Sequence, residues 1–287
     1  MMSLENRMDS WRVINLEKCS IYALHATEDY FLEEVINTKR APLIIFSNLQ
    51  NPSVSISYKQ NLEKDVNTHE AEKLSVDIAR RSTGGRSMYL DSSHSIVSII
   101  GKIDSNGINI PGMYKKTCGH IMESIRNVTG TNLHLENKND LMTVNGKKIG
   151  GAAQRIKKGC YVVHCYIRGK LDIDMTLKLI QIGGMGLQDY GREFLGFSSS
   201  ISDETGTNSE KFQDQFKSLF LSSLTQNKFY ISDLTEDEIN EIKKIEMHHR
   251  DKEHIKGNGK EPSRGNCDVI AGDKLRIPCL EGRVHFT

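Results

Sequence analysis

The sequence predicts an α+β fold, a mixed α/β architecture in which helices flank mixed β-sheets. Some segments space their apolar residues like one face of a helix, whereas others alternate apolar and polar residues like half-buried strands. The longest apolar runs, at 43–46 and 95–100, have the length of strands, and none approaches the roughly 18 residues of a membrane helix. With 37% hydrophobic and 26% charged residues, the 287-residue chain has a globular composition. We therefore expect helices packed on sheets and no membrane partner.

The first half of the chain alternates helical and strand patterns. Apolar residues at three- and four-residue steps mark its helices, whereas Pro42 and Pro52 each open a run that marks a strand. Thr27 is the expected N-cap of the first helix, and Asn145-Gly146 is typical of a two-residue hairpin turn. The predicted elements are a helix over 27–36, strands over 43–46 and 54–58, a helix over 69–74, β-structure over 87–103 with a turn at 91–94, a helix over 113–128, and a hairpin of 141–144 with 147–149.

The second half contains two amphipathic helices after a glycine-rich stretch between 183 and 196. Thr235 and Glu238 have the spacing of a capping box at the start of the last helix. The remaining polar residues, 247–287, are expected to form a short C-terminal extension to a domain over 1–246. The predicted elements are a strand pair over 162–174 broken at Gly169, a short helix over 175–182, and helices over 212–224 and 234–246.

The charge balance argues against nucleic-acid binding. Lys and Arg number 38 against 37 Asp and Glu, a formal net charge of +1, and non-specific nucleic-acid affinity needs many surplus cations. The N-terminal residues resemble neither a secretory signal nor an Arg-rich transit peptide, so we expect a cytoplasmic protein, with a mitochondrial location left open. The 6 cysteines are accordingly expected to be reduced thiols.

The densest chemical signal is Arg80-Arg81-Ser82-Thr83-Gly84-Gly85-Arg86, directly before a predicted strand. Glycines let the backbone approach a ligand closely, and arginines supply charge-assisted donors that fit phosphate or carboxylate. The segment therefore predicts an anion-binding loop. Taken alone, it is interpreted more simply as a solvated turn whose glycines only allow positive φ.

A second cluster lies further along the chain. Its residues are Asn139, Asp140 and Leu141, then Lys148, Gly151 and Ala153, then His164. Because small residues follow Lys148, its ammonium could face a cleft walled by nearly bare backbone, where a point charge suits a phosphate or carboxylate. The alternative is an exposed hairpin with a basic tip.

Together the two segments resemble the lipoate–protein ligase and lipoyl (octanoyl) transferase family, whose catalytic module is related to that of biotin protein ligase. The family's Arg-Arg-x-[Ser/Thr]-Gly-Gly-Gly loop, with an Asp shortly after, is matched by 80–86 and Asp91. Its Asn-Asp-Leu and Gly-[Arg/Lys]-Lys-Ile-x-Gly-x-Ala motifs, with a His on the next strand, are matched by 139–141, 146–153 and His164. The resemblance implies a biotin/lipoate-ligase-like catalytic domain.

The activity implied by this resemblance is that of an ATP-dependent lipoate–protein ligase or lipoyltransferase. Lipoate or octanoate would react with ATP and Mg²⁺ to give an acyl-adenylate such as lipoyl-AMP, and the acyl group would pass to a lysine of a lipoyl carrier domain. The implied partners are the lipoyl domains of 2-oxoacid dehydrogenase E2 subunits and the glycine-cleavage H protein.

The resemblance also implies residue roles. Lys148 matches the family's invariant lysine and is the implied catalytic residue, which would stabilise charge developing on carbonyl and phosphate oxygens. Asp140 is the implied Mg²⁺ ligand, since a hard cation prefers carboxylate oxygen. The implied binding residues are Arg81, Thr83, Gly84, Gly85, Arg86, Asn139, Asp140, Gly151, Ala153 and His164.

Three positions depart from the ligase pattern. Arg86 replaces a third glycine and is more typical of the octanoyltransferase branch, and Leu90 replaces a frequent histidine before Asp91. A serine-rich segment, 196–202, replaces an arginine-containing one. Many ligases also have an accessory C-terminal domain that 247–287 is too short to form, so we expect either a separate accessory chain or transfer of preactivated lipoyl groups.

Other functions are alternatives at this stage. An octanoyltransferase with a preactivated donor needs a cysteine nucleophile shortly before Asn139, yet 119–159 contains no cysteine. Cys160 and Cys165 are expected to be core residues, with Cys165 on the opposite strand face from His164. A catalytically silent relative and a biotin ligase are further alternatives, although biotin ligases usually have a Gly-Arg-Gly-Arg-type loop.

The C-terminal residues raise the question of a zinc site. The candidate ligands are His248, His249, His254, Cys267 and Cys279. Their spacing is irregular and includes no Cys-x-x-Cys pair. We therefore expect a solvated helix end there.

Overall fold

The computed structural model describes residues 10–38, 41–103, 110–186 and 196–257. The strands are β1 (Trp11–Cys19), β2 (Leu43–Leu49), β3 (Ser53–Ile56), β4 (Asp77–Arg80), β5 (Met88–Leu90), β6 (Ser95–Lys102), β7 (Leu133–Glu136), β8 (Asp140–Thr143), β9 (Lys148–Lys157), β10 (Cys160–Ile167), β11 (Gln181–Ile182), β12 (Met185–Gly186) and β13 (Phe229–Ile231). The helices are α1 (Ile21–Asn37), α2 (Leu62–Asp65), α3 (Thr68–Lys73), α4 (Ile110–Thr129), α5 (Ile173–Leu179), α6 (Ile201–Thr205), α7 (Ser209–Thr225), α8 (Glu236–Arg250) and α9 (Lys252–Lys256). These elements confirm the predicted α+β class.

The main sheet has eight strands in the order β13-β1-β2-β6-β10-β9-β8-β7. β1 runs parallel to both of its neighbours, and the other pairs are antiparallel. A second sheet has the order β4-β3-β5, with β3 parallel to β4 and antiparallel to β5. Both sheets are therefore mixed, as predicted.

Helices cover both faces of the main sheet. On one face, β2, β6 and β10 pack against α1, with Ile242 of α8 in the same cluster. On the other face, the strands pack against α4 and α7, whose Phe212, Phe216 and Phe220 are almost fully buried. Burying each phenylalanine contributes about 1.5–3 kcal/mol. Because side chains alternate along a strand, successive residues of β9 and β10 enter different layers.

The first helix begins earlier than the pattern predicts. Ser20 is its N-cap, with Oγ accepting a hydrogen bond from the Ala23 N–H at 3.0 Å. Thr27 lies inside the helix and donates to the Ala23 carbonyl at 2.7 Å, so the predicted Thr27 cap is wrong. The longer helix brings His25 and Glu28 into the buried interface with the sheet.

The predicted strand pair over 162–174 is also wrong. β10 is one strand that pairs with β6 and β9, and Asp172 is the N-cap of α5. At Gly169, a Cβ would lie 2.2 Å from the Ser93 carbonyl oxygen. Gly169 is therefore explained by close backbone packing and not by a hairpin.

Two local predictions are confirmed, namely the hairpin of β8 with β9 and the capping box of α8. The predicted two-residue Asn145-Gly146 turn is wrong, because the Gly146 N–H donates to the Thr143 carbonyl at 3.0 Å and the Thr143 N–H donates to the Lys147 carbonyl at 2.8 Å, which closes a three-residue loop over 144–146. In the capping box, the Thr235 N–H donates to Glu238 Oε2 at 3.0 Å. The glycine-rich stretch is described only to Gly186 and again from Gly196, so Gly191 lies outside the described residues.

The C-terminal part of the described chain packs against α1 and the second sheet. The expected boundary at 246 falls inside α8, which runs Glu236–Arg250. Ile255 of α9 is buried in a cluster with residues of α1, β4 and β10. Among the described helices, none combines the length and apolarity required to cross a membrane.

Candidate active site

An ion pair between Lys148 and Asp140 lies where β8 and β9 meet. Lys148 Nζ is 2.5 Å from Asp140 Oδ1, and the side chains keep 22% and 14% of their exposure, so a ligand can reach them from solvent. Asp140 uses one of the ammonium's three N–H donors. The structure thus brings the two residues together with donors left for an incoming anion.

Gly150 and Gly151, which follow Lys148 on β9, meet two different structural requirements. At Gly150, a Cβ would lie 2.6 Å from the Tyr166 carbonyl oxygen, closer than any side chain tolerates. At Gly151, a Cβ would lie 3.4 Å from Asp140 Oδ1 and 3.5 Å from Lys148 Cε, which are ordinary contacts. Gly150 therefore permits strand packing, whereas Gly151 leaves bare backbone beside the ion pair.

Asn139 fixes the hairpin that carries Asp140. Its Nδ2 donates to the Ala152 carbonyl at 2.7 Å, and its own carbonyl accepts the Ala152 N–H at 2.9 Å. The preceding residues Asn137 and Lys138 have positive φ, and Asn137 Nδ2 lies 3.4 Å from Asp140 Oδ2. Asn139 is thus adjacent to the ion pair and holds Asp140 in place.

Two groups that the motif analysis missed hold the main chain of Lys148. The Lys148 carbonyl accepts a hydrogen bond from Arg168 Nη1 at 2.8 Å and another from the Ser199 N–H at 3.0 Å. Burial lowers the pKa of Arg168 to about 10, although nearby Asp140 acts in the opposite direction. Arg168 lies in no recognised motif, and Ser199 lies in the serine-rich segment 196–202 that departs from the ligase pattern, so neither contact with Lys148 was predicted from the sequence.

The loop 80–86 is shaped from within by Arg81, which is only 2% exposed. Its guanidinium donates to the Ser55 carbonyl at 2.9 Å, to the Gly84 carbonyl at 2.7 Å and to the Arg86 carbonyl at 2.8 Å. Gly85 has a φ of +92°, and a Cβ there would lie 3.0 Å from Arg81 Nη2. Arg81 therefore organises the loop, while the Arg86 side chain is exposed.

A buried network joins this loop to the sheet and to α1. Thr83 Oγ1 is 3.0 Å from His164 Nε2, and His164 Nδ1 is 3.0 Å from Glu28 Oε1. Glu28 Oε2 is 3.2 Å from His25 Nδ1, whose Nε2 reaches Ser55 Oγ at 3.0 Å. Since Arg81 also donates to Ser55, the network closes on itself.

The network controls the charge states of its members. Burial alone would raise the pKa of Glu28, but the charge and hydrogen bond of His164, with help from His25, lower that pKa well below its usual range. Burial lowers the pKa of His25 to about 4, so this ring is neutral at pH 7. A buried carboxylate thus orients His164 and, through it, Thr83.

The predicted residues come together on one face of the main sheet. Ala153 lies opposite His164 in the pairing of β9 with β10, and directly paired residues share a face. A Cβ at Gly85 would be 3.9 Å from the Ala153 Cβ, so the loop lies over β9. At Gly84, a Cβ would meet nothing within 4 Å. The loop therefore forms one wall, and the strand with Lys148 forms the other.

The described cysteines are unsuited to nucleophilic catalysis. Cys160 and Cys165 are buried in the core, which confirms the prediction for both, and Cys165 packs on the face with α4 and α7, opposite the face on which His164 contacts Glu28 of α1. Burial raises the pKa of both thiols, and it raises those of Cys19 and Cys118 to about 12. A thiol is nucleophilic mainly as its thiolate. The described residues therefore present no activated thiol.

The zinc candidates do not form a metal site among the described residues. No group of three or more His, Cys, Asp or Glu side chains there could hold a metal ion, and Cys267 and Cys279 lie outside them. The expected solvated helix end is wrong in part, since His248 is exposed but His249 is buried against the loop. Leu90, which replaces a histidine of the ligase pattern, is a core residue.

Comparisons with known proteins match this chain to a protein family and to named relatives. Residues 20–218 match the family model described as the lipoyl protein ligase A/B catalytic domain. The octanoyltransferase LipM of Carboxydothermus hydrogenoformans is 28% identical over 193 residues, which cover 61% of this chain and 70% of the relative. A lipoate–protein ligase of Streptococcus pyogenes is 32% identical over 116 residues, which cover 40% of this chain and only 33% of the ligase.

A similar solved structure comes from an archaeal lipoylation system of Thermoplasma acidophilum, described as a bi-partite lipoate protein ligase and its E2 lipoyl domain. The TM-score is 0.78 at 21% identity, over 88% of this chain and 99% of the other. This likeness confirms the predicted lipoate-ligase-like fold.

Proposed function

The chain belongs to the lipoyl protein ligase A/B catalytic domain family, and on that premise we propose that it activates lipoate or octanoate with ATP and transfers the acyl group to a lysine of a lipoyl carrier domain. One observation carries this proposal. An accessible Lys148–Asp140 pair lies against the bare backbone of Gly151, and no activated thiol accompanies it in the described part of the chain.

Lys148 is the catalytic residue of this proposal. A free carboxylate is a poor acyl donor, whereas a mixed anhydride with AMP has a good leaving group. Negative charge develops on phosphate oxygens when the anhydride forms and on the acyl oxygen when the carrier lysine attacks. An ammonium fixed by Asp140 and by the bonded Lys148 carbonyl is preorganised to stabilise both.

Asp140 fits the binding of Mg²⁺ with ATP. Mg²⁺ is usually bound through one or two carboxylates together with substrate phosphates and water. Asp140 offers one accessible carboxylate, and its Oδ2 has only the 3.4 Å contact from Asn137. When bound, the ion would reduce the charge repulsion between phosphate groups. Arg86 lies at the end of the loop, and its side chain is exposed. Its guanidinium would bind a phosphate group of ATP.

The acyl group would lie beside the point where the loop packs on β9. Gly85 and Ala153 meet at that point, so they would close one end of the binding site. Gly84, at which a Cβ would meet nothing within 4 Å, and Gly151 would border its open side, with the carboxyl end of the acyl chain at Lys148. Thr83 and His164 would contact its distal part, held in place by Glu28.

The second candidate is transfer from a preactivated acyl donor. The similarity to a LipM octanoyltransferase and the presence of Arg86 favour it. Burial of the described thiols disfavours a thioester intermediate at those positions. Preactivated lipoyl-AMP needs no thiolate, and the bi-partite ligase of T. acidophilum supports the idea of a separate accessory chain. The proposed carriers are E2 lipoyl domains and the glycine-cleavage H protein.

The test is acylation of a purified apo lipoyl domain, followed by intact mass and AMP release. Lipoate with ATP and Mg²⁺, synthetic lipoyl-AMP, and an octanoyl-carrier thioester would be supplied in separate reactions. We expect acylation with lipoate and ATP, loss of it in Lys148→Ala, and retention in Lys147→Ala, which removes the neighbouring lysine. Acylation only from lipoyl-AMP or from the thioester would support the second candidate, and acylation from no donor would indicate a catalytically silent relative.

A further inference from the structure

The C-terminal helices reach the loop that forms one wall of the site. His249, near the end of α8, is 1% exposed and lies against the first residue of the loop. Its Nδ1 is 3.1 Å from the Arg80 carbonyl oxygen, and its Nε2 is 3.2 Å from Asp29 Oδ2. His249 lies beyond the expected domain boundary at 246, yet it contacts Arg80 and Asp29, which support the candidate active site.

Both partners of His249 are acceptors. A carbonyl and a carboxylate oxygen cannot donate, so His249 forms both hydrogen bonds only when both ring nitrogens carry a proton. The ring is then an imidazolium ion paired with Asp29. Burial opposes the charge on Asp29, but hydrogen bonds from His249 and Ser82 outweigh it and lower the pKa of Asp29.

Asp29 links His249 to the loop through Ser82. Ser82 Oγ donates to Asp29 Oδ1 at 2.6 Å, and Ser82 is the residue before Thr83. Arg155 Nη1 lies 3.6 Å from the same carboxylate oxygen. His249 thus holds the loop at two points, directly at Arg80 and through Asp29 at Ser82.

The guanidinium of Arg80 ties the same loop to α9. It donates to the Ile255 carbonyl at 2.8 Å, to the Lys256 carbonyl at 3.1 Å and to the Ser57 carbonyl at 2.6 Å. At Gly257, whose φ is +74°, a Cβ would lie 3.0 Å from Arg80 Nη2. The last described residues are therefore fitted to the base of the loop.

The charged and titratable groups that face His249 or its partner Asp29 lie on α1, α8, α9, β9 and the loop 80–86. Its ring faces His25 of α1 at 6.1 Å, His254 of α9 at 5.1 Å and His248 of α8 at 6.2 Å between centroids. Burial, with a contribution from His249, lowers the pKa of His25 and of His254 to about 4. Those two rings are neutral at pH 7, and His248 is exposed to solvent. Arg80 and Arg155 are the remaining cations nearby, and Asp29 is the anion that His249 contacts.

We propose that His249 is a positioning residue that holds the loop 80–86 over the Lys148 site through its ion pair with Asp29. The effect of His249 on substrate binding rests on the proposed function, in which the acyl-adenylate binds against this loop. It gives the C-terminal segment 247–257 a role in acyl-substrate binding. The loop is fixed on its inner side by the Thr83–His164 contact and on its outer side by His249.

The first experiment is hydrogen–deuterium exchange of the full-length chain without any ligand. Losing a charge-assisted hydrogen bond should increase amide exchange across 82–86 by about tenfold in His249→Ala. His248→Ala removes the same ring from the adjacent, exposed position and should leave the loop unchanged.

The second experiment measures steady-state kinetics with lipoate. His249→Ala should raise KM about tenfold and change kcat less than about threefold, because it displaces a binding wall and leaves Lys148 in place. Ser82→Ala breaks only the link to Asp29 and should shift KM in the same direction, which tests the inference even if His249→Ala does not fold.

Unchanged exchange across 82–86 in folded His249→Ala and in Ser82→Ala would overturn the inference. A lower melting temperature with unchanged KM would show a merely structural role and would overturn it as well. Because the exchange experiment needs neither substrate nor turnover, its result is distinguishable from a failure of the proposed function.

Discussion

Replacing the adjacent glycines Gly150 and Gly151 separately by alanine should have opposite consequences. In Gly150→Ala, the new methyl would lie 2.6 Å from the Tyr166 carbonyl oxygen and 3.2 Å from Leu141 Cδ1. An ordinary contact is about 3.4–4 Å, so paired strands must separate. In Gly151→Ala, the nearest atoms are Asp140 Oδ1, Lys148 Cε and the Asn139 carbonyl oxygen at 3.4, 3.5 and 3.6 Å, and nothing has to move.

The magnitudes follow from these contacts. Forcing one methyl into a packed strand pair costs about 1–3 kcal/mol, so Gly150→Ala should lower the melting temperature by about 2–12 °C. Gly151→Ala should stay within about 1 kcal/mol of the wild type, because the lost freedom of the unfolded chain offsets small adjustments. Its methyl instead occupies space beside the ion pair, where about 1–3 kcal/mol of lost substrate binding corresponds to about 5- to 150-fold in kcat/KM.

The assay combines urea or thermal unfolding with lipoylation kinetics on the same preparations. We expect Gly150→Ala to lose stability, and Gly151→Ala to keep stability but lose activity. Equal stability losses in the two variants would refute the assignment of Gly150 to strand packing. Wild-type kcat/KM in Gly151→Ala would refute the placement of the substrate over Gly151.

Three further predictions concern the proposed catalytic lysine, the cysteines and the pH dependence of stability. Lys148→Ala should abolish acyl transfer while the chain still folds, and it should lower the urea midpoint because the largely buried Asp140 carboxylate loses its cation; wild-type turnover in this variant would contradict the assignment. Cys160→Ser and Cys165→Ser should retain acylation activity if they fold, and loss of turnover with a trapped thioester would favour the transferase mechanism. Burial lowers the pKa of His25 from 6.5 to about 4, so the unfolded chain takes up this proton first as the pH falls. Stability should therefore decrease by about 2 kcal/mol between pH 7 and pH 5, measured by urea unfolding, and His25→Gln should reduce that dependence.

Much of the site was predictable because its residues are local in sequence. Lys148 and the small residues after it share one strand, and the loop 80–86 is continuous. Strand alternation also correctly separates Cys165 from His164. Local patterns are enough here because neighbouring residues on one strand have a fixed geometric relation.

The supports of the site were not predictable for the same reason. Glu28 meets His164 across 136 positions, and His249 meets Asp29 across 220. In sequence, an acidic residue on an amphipathic helix and a histidine among charged residues both indicate solvent. In the folded chain both side chains are buried, because tertiary packing supplies hydrogen-bond partners that compensate for the loss of their hydration. Arg168 belongs to the same class, since its acceptor is the main-chain carbonyl of Lys148.

The most direct test of the account is a single-turnover reaction without a carrier domain. The purified chain would be mixed with lipoate, ATP and Mg²⁺, quenched in acid, and analysed for soluble lipoyl-AMP and for the intact mass of the chain. The account predicts that the wild type forms lipoyl-AMP in an amount approaching that of the enzyme and that its own mass is unchanged. It predicts no lipoyl-AMP from Lys148→Ala. Absence of lipoyl-AMP from a chain that acylates a lipoyl domain when lipoyl-AMP or an octanoyl-carrier thioester is supplied would contradict it.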